Sequence, residues 1–403
     1  MREIILVHIT GEDKPGLTAT LTNVLGSYGV QILDIGQSVI HNYLTLGILI
    51  GIPQESESAP ILKALLFKAH ELGVSLKLSP VDLDKYSNWV DDQGKPRLII
   101  TLLGKKITAE QLSEVTQVLA KHGLNIDIIN RLSGRMPASE DSALNRSCVE
   151  LSVRGTPLCA DNLHEDFLEV SARLSVDIAF QEDNVFRRNR RLVAFDMDST
   201  LIQAEVIDEL AAEAGVKDQV SAITESAMRG EIDFDESLRQ RLRLLKGLDA
   251  SVLENVHKRL QLTDGAERLI RNLKKVGYKI AILSGGFTYF GEKLQEQLGI
   301  DYVYANKLII ENGKLTGEVE GDIVNGQMKA TLLRKIANKE EISLQQVIAV
   351  GDGANDLPML SIAGLGIAFH AKPKVKAESK QAISTMGLDS ILYLIGVRDR
   401  ELR

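Results

Sequence analysis

Four short runs in the C-terminal half of the chain, at residues 192–195, 280–283, 347–350 and 366–369, are apolar with almost no polar interruption. Strands of that kind are covered on both faces, and the helical patterns between the runs supply the cover. The expected architecture is therefore a doubly wound parallel α/β sheet. Such sheets gather their functional groups in the crevice at the carboxyl ends of the strands. The residues just after each run decide the chemistry.

Three of the runs end in polar groups. Residues 192–195 lead into Asp196-Met197-Asp198-Ser199-Thr200, residues 280–283 into Ser284-Gly285-Gly286, and residues 347–350 into Gly351-Asp352-Gly353-Ala354-Asn355-Asp356. Carboxylates as close as Asp196 and Asp198 repel one another, and both stay ionised only with a cation or strong donors between them. Asp352, Asn355 and Asp356 add hard oxygen donors of the kind magnesium takes. The Ser284 hydroxyl and the flexible N–H groups after it suit phosphate oxygens at a helix start, and Lys329 would supply a compact positive charge. Taken singly, each group also reads as an exposed turn or a solvated charge. Together, in this order after buried strands, they point to phosphoryl transfer through a carboxylate nucleophile, with positive charge neutralising the transferring group.

The first 180 residues have a different pattern. A β-branched run at residues 4–9 breaks at Gly11-Glu12-Asp13-Lys14-Pro15-Gly16, after which Leu17, Leu21, Val24 and Leu25 recur at helical spacing up to Gly29. Strands at 30–35 and 44–50, a helix at 61–72 and a strand at 74–78 complete a βαββαβ order. The order then repeats. A strand at 97–103, a helix at 109–122, and Gly123-Leu124-Asn125-Ile126-Asp127-Ile128 echoing Gly29-Val30-Gln31-Ile32-Leu33-Asp34 begin a second α+β copy. This copy has a longer polar loop at 133–147 and closes with elements at 148–153, 161–173 and 176–180.

The expected organisation is thus a first module at residues 1–82, a polar, turn-rich linker at 83–95 holding the only tryptophan, Trp89, and a second module at 96–182. A charged segment at 181–191 separates these from the α/β part at 183–403. A long helical insertion at about 205–262 reads as a cap closing over the crevice, and residues 302–322 as a hairpin turning at Glu311-Asn312-Gly313 beside the site.

The motifs from about Arg191 to the end resemble the haloacid-dehalogenase-like superfamily and, more narrowly, its phosphoserine phosphatases. The resemblance implies that Asp196 is the nucleophile and that Asp198 first protonates the leaving oxygen and then activates water. It also implies Mg2+ held by Asp196, the Asp198 main-chain carbonyl and Asp352, with Asn355 and Asp356 orienting the shell, and it makes Ser284 and Lys329 catalytic groups on the phosphoryl oxygens. Within the insertion, it assigns Glu205 to a substrate ammonium, Arg241 to a carboxylate, and Met228 and Phe234 to an apolar wall, while Ser284, Gly285 and Asn355 contact substrate. Read without the family, Met228 and Phe234 are simply helix core and Arg241 a surface arginine. Asp264-Gly265 stands where many relatives have Pro-Gly, a departure at a helix start that leaves the catalytic set intact.

The two N-terminal modules resemble ACT domains, most clearly in residues 11–17, whereas Leu103-Gly104-Lys105-Lys106 lacks the Asp and Pro of the first copy. This implies a homodimer paired through sheets and a regulatory amino acid, serine, with Asp13 and Gly16 as the regulatory positions. A purely structural role is the other reading.

Composition excludes several classes. A net charge of -8 gives no basic surface for nucleic acid, and no stretch of about 20 apolar residues exists for a membrane span. Cys148 and Cys159 fit neither a disulfide framework nor a zinc site and read as packing residues. A cytoplasmic enzyme making serine from phosphoserine is the expectation. Its rivals are a phosphotransferase or a phosphatase for another small substrate such as phosphohomoserine, and an amino-acid-sensing protein with an inactive phosphatase half.

Overall fold

The computed structural model describes residues 3–135 and 146–402, so most of the loop expected at 133–147 lies outside the described residues. The chain divides into two compact units, Met1–Lys95 and Pro96–Arg403.

In the first unit, β1 (Glu3–Glu12), β2 (Gln31–Ile40), β3 (Tyr43–Ile52) and β4 (Ser75–Val81) form an antiparallel sheet in the order β2-β3-β1-β4. Val7, Ile9, Ile48 and Ile50 from the two central strands share a core with Leu21 and Leu25 of one helix and Ile61 and Leu65 of the other. The stretch read as a turn-rich linker is mostly helix, Leu83–Asp91. Asp82 starts it, accepting from the Asp84 N–H at 2.8 Å, an N-cap that a polar composition hides.

The second unit opens with the repeat: β5 (Arg97–Gly104), β6 (Asn125–Arg131), β7 (Ser147–Arg154) and β8 (Asp177–Glu182), again antiparallel and ordered β6-β7-β5-β8. Then come β9 (Leu192–Phe195), β10 (Lys279–Phe287), β11 (Tyr302–Glu311), β12 (Lys314–Glu320), β13 (Val347–Gly351), β14 (Leu365–Phe369) and β15 (Gln381–Ile383), in the order β12-β11-β10-β9-β13-β14-β15. Every pair is parallel except the β11–β12 hairpin, which turns at Asn312 and Gly313 with φ of 51° and 76°. The central strands are buried on both faces. Val193, Phe195, Ile280, Ile282, Ile348 and Val350 face the core shared with the inserted helices, and Leu192, Ala194, Ala281, Leu283, Val347 and Ala349 face the helix Gly326–Lys339. That alternation across two cores is why the runs carry almost no polar residue.

The inserted segment is helical throughout: Val206–Glu213, Lys217–Met228, Phe234–Leu244 and Ser251–Arg259. The β11–β12 hairpin binds it, with the Gly247 N–H donating to the Leu315 carbonyl and the Ala250 N–H to that of Gly313, both at 2.8 Å.

Residues 181–191, read as a charged segment between modules, are built into the fold. Arg187 and Arg190 are buried; the first pairs with Glu150, and the second donates to the Gln345 carbonyl at 3.1 Å and the Gln181 side chain at 3.2 Å. The second βαββαβ module is likewise joined to the large sheet. The buried Asp177 carboxylate accepts from the Ser384 N–H (2.8 Å), the Thr385 N–H (2.9 Å) and the Thr385 hydroxyl (2.7 Å). Gln381, in β15, accepts from the Phe180 N–H at 2.8 Å and donates to the Phe180 carbonyl, so one side-chain amide stands in for a rung between two sheet edges. Leu103, Leu132, Cys148 and Ala179 of the module lie in the same core as Leu392 and Tyr393.

Candidate active site

Register builds the site. Phe195 pairs with Ile282 on one side and Val350 on the other, so Asp196, Ser284 and Asp352 emerge at one end of three adjacent strands. Asp196 is 5% exposed; its N–H donates to the Val350 carbonyl at 2.9 Å, and its Oδ1 accepts from the Met197 N–H at 2.7 Å. From the helix Gly326–Lys339, the fully buried Lys329 places Nζ 2.9 Å from Asp196 Oδ1 and 2.7 Å from Asp356 Oδ1. Asp356 is held in turn by the Gly353 N–H at 3.0 Å, and Asp352 by the buried Thr200 hydroxyl at 3.3 Å.

One oxygen from each of Asp196, Asp352 and Asp356 lies within 4.8 Å of the others. Burial, then Asp196 and Asp356, pushes Asp352 up to about 8; burial and Asp196 push Asp356 up to about 7 against the pull of Lys329. Burial pulls the Lys329 ammonium down, but Asp196 and Asp356 outweigh it and hold it above its usual value. Three carboxylates thus converge with one lysine among them. The charge imbalance and the all-oxygen donor set fit a hard divalent cation.

Asp198 sits where the backbone turns sharply: Ser199 is left-handed with φ of 53°, uncommon for a residue with a side chain, and its hydroxyl donates to Glu205 Oε1 at 2.7 Å. The Val206 N–H donates to Asp198 Oδ1 at 3.3 Å. Burial, then the charges of Glu205 and Asp196, push Asp198 well above the usual carboxylate range. A Cβ at Gly286 would stand 2.5 Å from Asp198 Oδ2, and one at Gly285 would stand 2.7 Å from the Phe234 ring, so the two glycines let the Ser284 loop lie against both.

The inserted helices supply the other wall. Phe234 is half-buried over Gly285. Arg241, 9% exposed on the same helix, donates from Nε to the Ser237 carbonyl at 3.3 Å and, among the described residues, has no carboxylate within ion-pair distance. Burial pulls it below its usual value, and Asp208, Glu205 and Asp198 partly restore it. A buried guanidinium beside an acidic cleft, without an anion of its own, suits a ligand carboxylate. Met228 ends its helix, and its side chain lies outside the described residues. Asn355 is half-buried, its side chain folded over Gly353. Asp13 and Gly16 belong to the other unit, where the Asp13 N–H donates to the Asn42 carbonyl at 2.8 Å and Gly16 starts a helix.

Three supporting residues escaped the sequence reading. Asn325 caps the helix of Lys329, accepting from the Met328 N–H at 3.0 Å, and its amide donates to Asp235 of the inserted segment at 3.0 Å. An Asn-Gly before a helical run is a legible N-cap, so a signal existed. Thr200 stood in the quoted motif without a role, and Asn306, buried beneath the Ser284 loop, gave no signal at all.

Similarity to known proteins agrees with this geometry. Family models for ACT domains match residues 3–79 and 98–181, and one for haloacid dehalogenase-like hydrolases matches residues 190–364. A phosphoserine phosphatase of Streptomyces coelicolor is 41% identical over 398 residues, covering 99% of this chain and 93% of that protein. The crystal structure of a Salmonella enterica HAD family hydrolase superposes with a TM-score of 0.63 at 31% identity, covering 74% of this chain and 99% of that one. That of a probable phosphoserine phosphatase from Vibrio cholerae does so with a TM-score of 0.59 at 34% identity, covering 75% and 87%. With two ACT domains, a parallel sheet of this order and relatedness over nearly its whole length, the chain belongs to the phosphoserine phosphatase family of haloacid dehalogenase-like hydrolases.

Proposed function

We propose that this protein hydrolyses O-phosphoserine to serine and inorganic phosphate, completing serine synthesis in the cytoplasm. The observation that carries the reading is the buried Lys329 ammonium lodged between Asp196 and Asp356 in a three-carboxylate cluster. A nucleophilic carboxylate needs such neutralisation to approach a phosphoryl dianion.

In the first step an Asp196 oxygen attacks phosphorus, the bond from phosphorus to the serine oxygen breaks, and that oxygen takes the proton of Asp198. The raised affinity of Asp198 for its proton suits an acid at neutral pH. In the second step Asp198, now a carboxylate, takes a proton from water, whose oxygen attacks phosphorus and frees Asp196 and phosphate. Ser284 and the N–H groups of its loop bind phosphoryl oxygens, and Lys329 offsets charge as it builds. Mg2+ fits the donors of Asp196, Asp352 and the Asp198 main-chain carbonyl, with Asp356 and Asn355 in support, and when bound it supplies further charge neutralisation at the transferring group. Glu205 takes the substrate ammonium, Arg241 its carboxylate, and Phe234 and Met228 line the apolar wall.

The working units are residues 1–82, 96–182 and 183–403, joined by 83–95, with the ACT domains binding serine through the Asp13–Gly16 region in a homodimer. Serine should then slow turnover non-competitively, and Asp13→Ala should remove that component with kcat unchanged.

A panel of phosphorylated small molecules tests the substrate: phosphoserine should lead it, and phosphohomoserine in first place would overturn the assignment. Arg241→Lys, which keeps charge but loses the planar fork, should raise KM for phosphoserine at least tenfold with a smaller effect on kcat.

A further inference from the structure

Strand β10 stops pairing with β11 at Leu283 and Tyr304 and resumes at Phe287 and Asn306. Between those rungs Ser284, Gly285 and Gly286 bulge away from the ladder, which frees backbone groups for a ligand but also leaves a carbonyl without its sheet partner. Asn306, 2% exposed, fills that gap. Its Nδ2 donates to the Gly285 carbonyl at 2.8 Å, and its Oδ1 accepts from the Val324 N–H at 2.9 Å. Both partners have one fixed role, acceptor and donor, so the amide can face only one way.

The Gly285 carbonyl and the Gly286 N–H are two ends of one planar peptide unit and point to opposite sides of it. The N–H end donates to Ser284 Oγ at 2.9 Å, so that hydroxyl and N–H share one side of the loop. Holding the carbonyl therefore holds the N–H on the side of Ser284. The restraint matters because this peptide joins two glycines, the residues least able to resist a flip. Turned over, it would show a carbonyl oxygen to an anion instead of a donor.

We propose that Asn306 is a positioning residue for phosphate: it locks the Gly285–Gly286 peptide with its N–H toward the phosphoryl site and its carbonyl away from it. The inference rests on the reading of the Ser284 loop as the phosphate cradle. Because Val324 precedes Asn325, the same side chain ties that cradle to the N-cap of the helix carrying Lys329, so the two phosphoryl-binding elements share one anchor.

The test compares Asn306→Asp with Asn306→Ala in the full chain with magnesium. Aspartate is isosteric and keeps the Val324 bond but turns an oxygen toward the Gly285 carbonyl; alanine removes both bonds without repulsion. If Asn306 acts on the peptide, Asn306→Asp should weaken competitive inhibition by inorganic phosphate about tenfold or more, the scale of one buried hydrogen bond left unmade, and Asn306→Ala somewhat less, while non-competitive inhibition by serine stays unchanged. A merely structural asparagine would lower the melting temperature, more for alanine, and leave phosphate affinity unchanged in both variants; that outcome overturns the proposal. Should the aspartate variant not fold, Asn306→Ala against the parent carries the same phosphate-against-serine comparison. Calorimetric titration of phosphate into the magnesium-loaded parent separates the two readings. Asn306-dependent phosphate binding without phosphoserine turnover would sink the substrate assignment and leave this inference standing.

Discussion

Buried charge is handled in opposite ways at two places in the second unit. Where the second ACT domain meets the hydrolase sheet, Asp177 receives three donors from Ser384 and Thr385, Glu150 pairs with Arg187, and Asp389 pairs with Arg268 at 2.7 Å. At the carboxyl ends of β9 and β13, Asp196, Asp352 and Asp356 crowd together, Lys329 pairs with the first and last, and among the described residues Asp352 keeps only a long contact to Thr200. Burial costs both places several kcal/mol per ion; at the junction each of these carboxylates has donors or a cation of its own, although burial still lifts Asp177 above its usual range, whereas at the site three carboxylates share one lysine. The junction pairs its buried carboxylates one by one; the site keeps an excess of negative charge, which fits the cation proposed for it.

The largest effect that separates the two comes from exchanging one carboxylate in each. Asp196→Asn removes the proposed nucleophile and should lower turnover by roughly 10⁴-fold or more, while the melting temperature in chelator holds or rises because a repelling charge is gone. Asp177→Ala should do the reverse: turnover per folded molecule within about twofold, and a loss of roughly 2 to 4 kcal/mol in unfolding free energy as three donors lose their acceptor. Equal losses of activity and stability in either variant would erase the distinction.

A smaller effect should appear in the pH dependence. In the folded, metal-free protein, Asp352 and Asp356 hold protons up to about 8 and about 7, whereas unfolded they release them near 4. The folded state binds more protons across that window, so stability falls as pH rises from about 4 to about 8. Magnesium favours the ionised carboxylates and should flatten the fall. Melting in chelator should drop by several degrees between pH 5 and pH 8, with the stabilisation by magnesium greatest at pH 8; a flat curve in chelator would mean that the cluster is not the unbalanced set described.

Gln381→Ala should have the smallest effect, about 1 kcal/mol, through the lost bridge to Phe180. Its use is to sharpen the comparison between junction and site, since the last strand of the second ACT domain is fastened to the hydrolase sheet in this way.

Much of this was legible beforehand. Apolar runs without alternation gave a sheet covered on both sides, and the catalytic candidates stand directly after those runs, where spacing along the chain is also position in space. The hairpin turn at Asn312-Gly313 and the helical insertion were readable for the same reason: a dihedral requirement and a 3.6-residue period are local properties. Reading failed where a residue's meaning depended on its neighbours. Arg187 and Arg190 looked like part of a charged separator, yet both are buried with partners on other elements. Asp82 looked like linker polarity and is a helix cap.

The sequence by itself determined the polar groups that follow the buried strands and the repeat of βαββαβ, because periodicity, turns and motif spacing are written within a few residues; the expectation that Asp196 is the nucleophile came from the family resemblance of those motifs. Tertiary structure alone decided that Lys329 lies between Asp196 and Asp356, that Asn306 reaches under the Ser284 loop, and that the second repeat is joined to the hydrolase sheet through Asp177 and Gln381. Those contacts join residues from 21 to more than 200 positions apart, as the Gly285–Asn306 and Phe180–Gln381 bonds show. No local propensity encodes such a pairing; it exists only once burial has packed the elements and each polar group has had to find a partner.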